Sequence, residues 1–268
     1  MFIIKIVIGI ISQSRAMIAD SLNSAGDVFA SFMTWLGSKI SCVPNDDDHN
    51  YGHGKAEYIF SMLIGISMII IALKLLFDSI FSIVNQNQLI FSWKLVVISI
   101  ITIVTKFCLY LYTKHSYSKS SHLLIKSNMI DHRNDMALAF LTLIAIIFAK
   151  YNIYFIDGIV GIIISIWIMI AGIKLFHESY SVLMDEALNI ETKKEILRII
   201  KSYDDIKQIG NLYSIPIGYK YLVVVTIYVD GKMKTVKSHH IADIIEENIK
   251  KKFNIIEQVI IHVEPFAK

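Results

Sequence analysis

The chain has 268 residues, 54% of them hydrophobic and 18% charged, with a mean hydropathy of +0.55. Such an apolar surplus does not fit inside one soluble domain of ordinary size. A net charge of +3, with Lys scattered rather than clustered among aromatics, argues against nucleic acid as a partner.

In chain order, residues 1–11 are apolar but too short to cross a bilayer alone, and no small-residue cleavage site follows them. They read as the tail of a truncated first span. Further spans are expected near 16–40, 56–84, 91–113, 122–149 and 154–177. The loops orient them: Lys114, Lys119 and Lys126 join the fourth and fifth spans, and Lys39 and Lys55 flank the loop after the second. Residues 85–92 carry no charge, so the basic loops and the C-terminus are placed in the cytosol, against a weaker opposing signal from Arg15, Lys94 and Lys150. Cys42 and Cys108 lie in or beside apolar segments without CxxC spacing and are expected to be buried thiols rather than a disulfide framework.

Beyond about residue 191 the apolar runs stop. Residues 192–202 and 239–253 have helical periodicity, 221–229 and 258–263 read as strands, and Asp230-Gly231 is a turn signal. The expectation is a membrane domain over 1–185 and a small α+β cytosolic domain over 186–268.

Charged groups inside a span cost about 2.5–3.5 kcal/mol each on insertion scales, so they need a cavity, a partner or a task. Asp20, Asn23, Ser24, Asp27, Ser31 and Thr34 form one polar stripe on the second span. Asp131 and Asp135 repeat the four-residue spacing on the fifth. Brought together, Asn23, Asp27, Asp131 and Asp135 make a first shell for one divalent cation, whose charge offsets the repulsion among the carboxylates. The competing reading is that these groups pair with Lys, Arg133 or backbone and only set helix register. Lys74 and Asp78, also four apart, read as a local ion pair near the outer interface. The loop 45–55 packs Asp46, Asp47, Asp48, His49 and His53 into a glycine-bearing turn. Carboxylate with neutral imidazole suits borderline ions such as zinc or ferrous iron, and a solvated acidic loop is the alternative.

The segments 19–27 (ADSLNSAGD), 51–57 (YGHGKAE), 131–135 (DHRND) and 183–188 (LMDEAL) resemble, in order, the successive signatures of cation diffusion facilitators, nearest the bacterial ferrous-iron and zinc efflux branch. The resemblance implies a six-helix membrane domain whose first helix is here shortened, and a ferredoxin-like cytosolic domain that dimerises. It implies a proton-coupled exporter of divalent iron, manganese or zinc in a bacterial inner membrane, and not an enzyme.

By motif, the transport site falls on Asn23, Asp27, Asp131 and Asp135, and the loop site on Asp46, His49 and His53. A cytosolic-domain site falls on His239, His262 and Glu264, with Gly210 and Thr226 where better-formed family sites carry His. Structural zinc in these cytosolic parts is part of the same implication. Lys55 and Asp185 match a charge pair that couples the two halves. Zinc transporters of the family usually place a His in the membrane set; the all-oxygen set here favours manganese or ferrous iron and leaves proton coupling to the carboxylates. Two other classes remain open. A non-conducting membrane metal sensor would bind without flux, and an intramembrane aspartyl protease would use Asp27 and Asp135 but needs neither Asp131 nor the His-bearing loop.

Overall fold

The computed structural model describes residues 2–85, 89–120 and 123–266. Six helices come first: α1 (Phe2–Ile11), α2 (Arg15–Ser41), α3 (Ala56–Val84), α4 (Trp93–Ser120), α5 (Leu123–Ala149) and α6 (Phe155–Leu183). Then follow α7 (Ile190–Lys201), β1 (Ile206–Ile217), β2 (Lys220–Asp230), α8 (Thr235–Lys252) and β3 (Ile256–Phe266). Among the described residues, four helices are long and apolar enough to cross a membrane, within α3, α4, α5 and α6. α2 has the length, 27 residues, but its polar stripe dilutes its hydropathy.

The chain divides into two compact units, residues 1–32 with 64–175, and residues 33–63 with 176–268. In the first, small residues let helices approach: Ala16 and Ala19 of α2, Ala72 of α3 and Ala145 of α5 are buried beside Val160, Ile164 and Ile168 of α6. Gly161 of α6 is a close-approach point, because a Cβ there would lie 2.5 Å from Ser79 Oγ of α3. α2 begins at a cap built from another helix. Ser14 Oγ accepts from the Met17 N–H at 3.2 Å and donates to Asp157 Oδ1 at 2.6 Å, while the Arg15 N–H donates to Asp157 Oδ2 at 2.5 Å. A buried carboxylate of α6 thus satisfies the free N–H groups at the start of α2.

Three helices close on a left-handed residue other than glycine. α1, α5 and α6 each close with paired C-terminal hydrogen bonds around a left-handed residue, Gln13 (φ 56), Asn152 (φ 63) and Asp185 (φ 57).

In the second unit, β1 and β2 are antiparallel and β2 and β3 parallel, in the order β1-β2-β3, with α8 as the crossover. Val223, Val225, Ile227 and Val229 of β2 point to one face and pack with Ile196 and Ile200 of α7 and Ile241, Ile245 and Ile249 of α8. The strands alternate, so Tyr213, Ile215 and Ile260 lie on the uncovered face. At the Asp230 turn, Asp230 Oδ1 accepts from the Lys232 N–H at 2.9 Å, as the turn signal requires.

Two sequence expectations are corrected. Cys42 and Cys108 are free and exposed rather than buried: Cys42 falls in the turn just past α2, and Cys108 on an outward face of α4. Asp78 does not pair with Lys74; its partner is Arg15, whose Nη1 lies 3.9 Å from Asp78 Oδ2, because an inter-helix guanidinium outreaches the i,i+4 ammonium. The side chains of Lys119 and Lys126 lie outside the described residues.

Candidate metal centres

The polar stripe of α2 meets α5. Asn23 Nδ2 donates to Asp135 Oδ1 at 3.4 Å, which brings the two four-residue pairs to the same place. Asp27 lies within electrostatic reach of both Asp135 and Asp131. Two hydroxyls of the stripe are turned inward on their own helix: Ser24 Oγ donates to the Asp20 carbonyl at 3.1 Å and Ser31 Oγ to the Asp27 carbonyl at 2.7 Å. They do not compete for the space between the helices. Asp27 and Asp131 are exposed and Asn23 and Asp135 half-buried. The three carboxylates do not close into a group with all ligand atoms within 4.8 Å; among the described residues only the loop triad does so.

Two residues with a part in this region escaped the sequence reading. Lys5 of α1 donates to Asp20 Oδ2 at 2.7 Å, with both side chains buried. Lys106 of α4 pairs with Asp135 Oδ2. Their signal was present, a lone Lys inside each of two apolar runs. The competing reading that Lys neutralises these acids is therefore partly realised, although Lys106 and not Arg133 supplies the charge. His132, beside Asp131, has its Nδ1 buried without a hydrogen-bond partner.

The loop triad is assembled. Asp46 Oδ1 lies 3.1 Å from His49 Nδ1, Asp46 Oδ2 lies 3.5 Å from His53 Nε2, and the two imidazole centroids are 4.3 Å apart. Local turn chemistry makes this possible. The backbone N–H groups of Asp48 and His49 donate to Asp46 Oδ1 at 3.1 and 2.6 Å, folding the acidic run around its first carboxylate. The His49 N–H, with smaller help from the His49 and His53 rings, holds Asp46 below the usual carboxylate range. His53 Nδ1 is 3.3 Å from the Pro44 carbonyl, and its donation there leaves Nε2 as the ligand atom. Two imidazoles and a carboxylate with an open fourth position are a donor set that suits zinc.

The same loop is docked on the β1–β2 turn by bare backbone. A Cβ on Gly54 would sit 2.9 Å from the Cα of Gly218, and Gly218 itself has φ +75. Lys55 Nζ donates to Asp185 Oδ1 at 2.7 Å, so the charge pair suggested by the motifs is formed.

The third set is not gathered within one chain. His262 Nε2 is 2.7 Å from Glu264 Oε1, both on the uncovered sheet face, whereas His239 is paired with Asp243 on α8, which packs against the covered face. Thr226 is opposite His262 in the β2–β3 register, and Gly210 approaches Thr226 at 3.0 Å from its Cβ position. The two positions that lack imidazoles therefore adjoin His262.

Membrane-length apolar helices followed by an α+β unit, with acids and amides facing one another across two helices, define a multi-pass membrane protein of the cation-transporting class. Residues 1–184 match the cation efflux transmembrane domain and residues 188–266 the cation efflux protein cytoplasmic domain, so the chain belongs to the cation diffusion facilitator family of metal efflux transporters.

It is similar to the manganese efflux system protein MneP of Bacillus subtilis (strain 168), 29% identical over 270 residues that cover 98% of this chain and 90% of that protein. It is also similar to the cation-efflux pump FieF of Shewanella oneidensis, 26% identical over 262 residues that cover 98% and 88%. The metal-bound C-terminal domain of the CzcD transporter from Thermotoga maritima is 26% identical, covers 30% of this chain and 92% of that chain, and gives a TM-score of 0.29.

Proposed function

We propose that the protein exports a divalent transition-metal cation from the cytosol in exchange for protons, working as a homodimer in a bacterial inner membrane with residues 1–185 as the membrane domain and 186–268 on the cytosolic side. The observation that carries this reading is the Asn23–Asp135 contact, which sets the acid pairs of α2 and α5 against each other inside the membrane-spanning unit. Asn23, Asp27, Asp131 and Asp135 are the transport ligands. Their oxygens favour manganese or ferrous iron over zinc, in keeping with the manganese named for MneP. A cation that enters such a cluster displaces the protons the acids share, which links metal movement to proton movement. Asp46, His49 and His53 hold a second ion, structural zinc, at the membrane surface. His239, His262 and Glu264 form a weaker third site in which His239 acts apart from the other two.

The uncovered sheet face with Tyr213, Ile215 and Ile260 supports self-association. Lys55–Asp185 couples the loop to the start of the α+β segment. Transport between inward- and outward-open states, rather than peptide hydrolysis, accounts for both the pairing of four oxygen groups and the loop triad.

The test is metal-driven proton flux in vesicles reconstituted with the full chain, with zinc, iron and manganese compared side by side. Asp27→Ala and Asp135→Ala are expected to abolish it. Undiminished flux in both variants would refute the site, and metal binding without flux in the parent protein would favour a sensor.

A further inference from the structure

Asp135 is shared: Oδ1 takes the Asn23 amide and Oδ2 takes the ammonium of Lys106, both side chains largely shielded. Lys106 also acts electrostatically on Asp20, Asp27 and Asp131. The local charges can be counted. Asp20, Asp27, Asp131 and Asp135 face Lys5 and Lys106, so with every carboxyl ionised four negative charges meet two positive ones, and the remaining two match one divalent cation or the protons it displaces. Lys5 is fixed, its ammonium and Asp20 both out of contact with solvent. Lys106 is the less shielded of the two, its side chain 23% exposed against 2% for Lys5, and it reaches the site from α4, outside the α2–α5 ligand pair. A metal ion bonds a carboxylate oxygen at about 2 Å. No ammonium stays within hydrogen-bond distance of that same oxygen, because the two cations would repel strongly where water is scarce.

We propose that Lys106 is a tethered counter-cation of the transport site, one that competes with the substrate metal for Asp135 and thereby sets metal affinity and release. The proposal rests on the transport-site reading above. Metal entry displaces the ammonium from Asp135, and its return neutralises Asp135 as the metal departs. Asp135 is then never left unpaired in a low-dielectric setting. A pair that merely pinned α4 to α5 would have the opposite signature, since its removal would loosen the ligand geometry and weaken binding.

The experiment is equilibrium manganese binding and manganese-driven flux on the full-length protein carrying His49→Ala and His53→Ala, so that the loop triad does not contribute. Lys106→Met is expected to tighten manganese binding about tenfold while slowing turnover through delayed release, and Lys106→Arg to return both towards the parent. Unchanged or weaker binding in Lys106→Met would overturn the proposal.

A second measurement needs no substitution at Lys106. Acylation of its amine, followed by mass spectrometry, is expected to rise when manganese saturates the site, and unchanged or reduced labelling would contradict displacement. Asp135→Asn separates the two layers. Manganese binding retained there would overturn both the transport site and the counter-cation; binding lost there, with Lys106→Met unaltered in affinity, would overturn the counter-cation alone.

Discussion

The loop triad and the membrane acids are built from overlapping residue types, yet the ligand atoms of one are drawn together and those of the other are not. At the loop, Asp46, His49 and His53 converge to within 4.8 Å in a solvent-exposed turn. Water screens the single carboxylate, neutral imidazoles add no charge, and backbone N–H groups of the turn organise the cluster. Between α2 and α5 three carboxylates have no such relief. Within a membrane-spanning unit their mutual repulsion opposes convergence, and one of them, Asp135, is held by an amide and by Lys106 instead. A site with one carboxylate can be preformed; three carboxylates set against one another call for a cation to complete them.

This contrast can be broken most decisively at the membrane set. Loss of one ligand, as in Asp27→Ala, is expected to lower metal-driven flux by more than about 100-fold, whereas His53→Ala should lower it only a few-fold while removing surface zinc. Equal losses in a flux assay would mean the loop is itself on the transport path. Next in size is the loop's docking. Gly54→Ala drives a methyl into the Gly218 backbone and is expected to cost about 1–3 kcal/mol, read as a lower melting temperature of the full chain; an unshifted melt would show that the contact is slack.

Much of this was legible in the sequence. The spans followed from apolar runs of sufficient length, the α2 stripe from helical spacing, and the loop from its density of acids and imidazoles. β2 was clear because it is central and β-branched; β1 was not, since Gly210, Asn211 and Pro216 break its pattern and an edge strand tolerates them. The ends of α1 at Ile11 and α5 at Ala149 coincide with the ends of their apolar runs, whereas α6 continues to Leu183, past the expected 177, because no glycine marks its stop and Asp185 takes the left-handed conformation instead. Lys5 and Lys106 carried a signal as charges in apolar runs, but their partners lie on other helices, and pairing across a bundle is a property of packing rather than of spacing.

Smaller effects sharpen the picture. Asp185→Asn keeps a residue that tolerates the left-handed conformation but removes the charge facing Lys55. The pair is partly exposed, so a loss of no more than about 1 kcal/mol is expected on melting; a larger loss would point to a role beyond the pair itself. The smallest concerns pH. Asp46 is held below its ordinary value of 3.8, so the order it lends the loop is fully present above that value and is lost as pH falls through the lower folded-state value. Protection of the Asp48 and His49 amides from exchange, after correction for intrinsic rates, should stay flat from pH 7 to about 5. A decline within that window would show that Asp46 does not organise the turn.

The central claim is that oxygen ligands from α2 and α5 jointly hold one divalent ion. X-ray absorption by manganese bound to the protein with His49→Ala and His53→Ala measures this directly. A first shell of oxygen alone, lost with Asp135→Ala, is the expected result. Imidazole scattering in that shell, with His132 the neighbouring source, or a shell indifferent to Asp135→Ala, would contradict it.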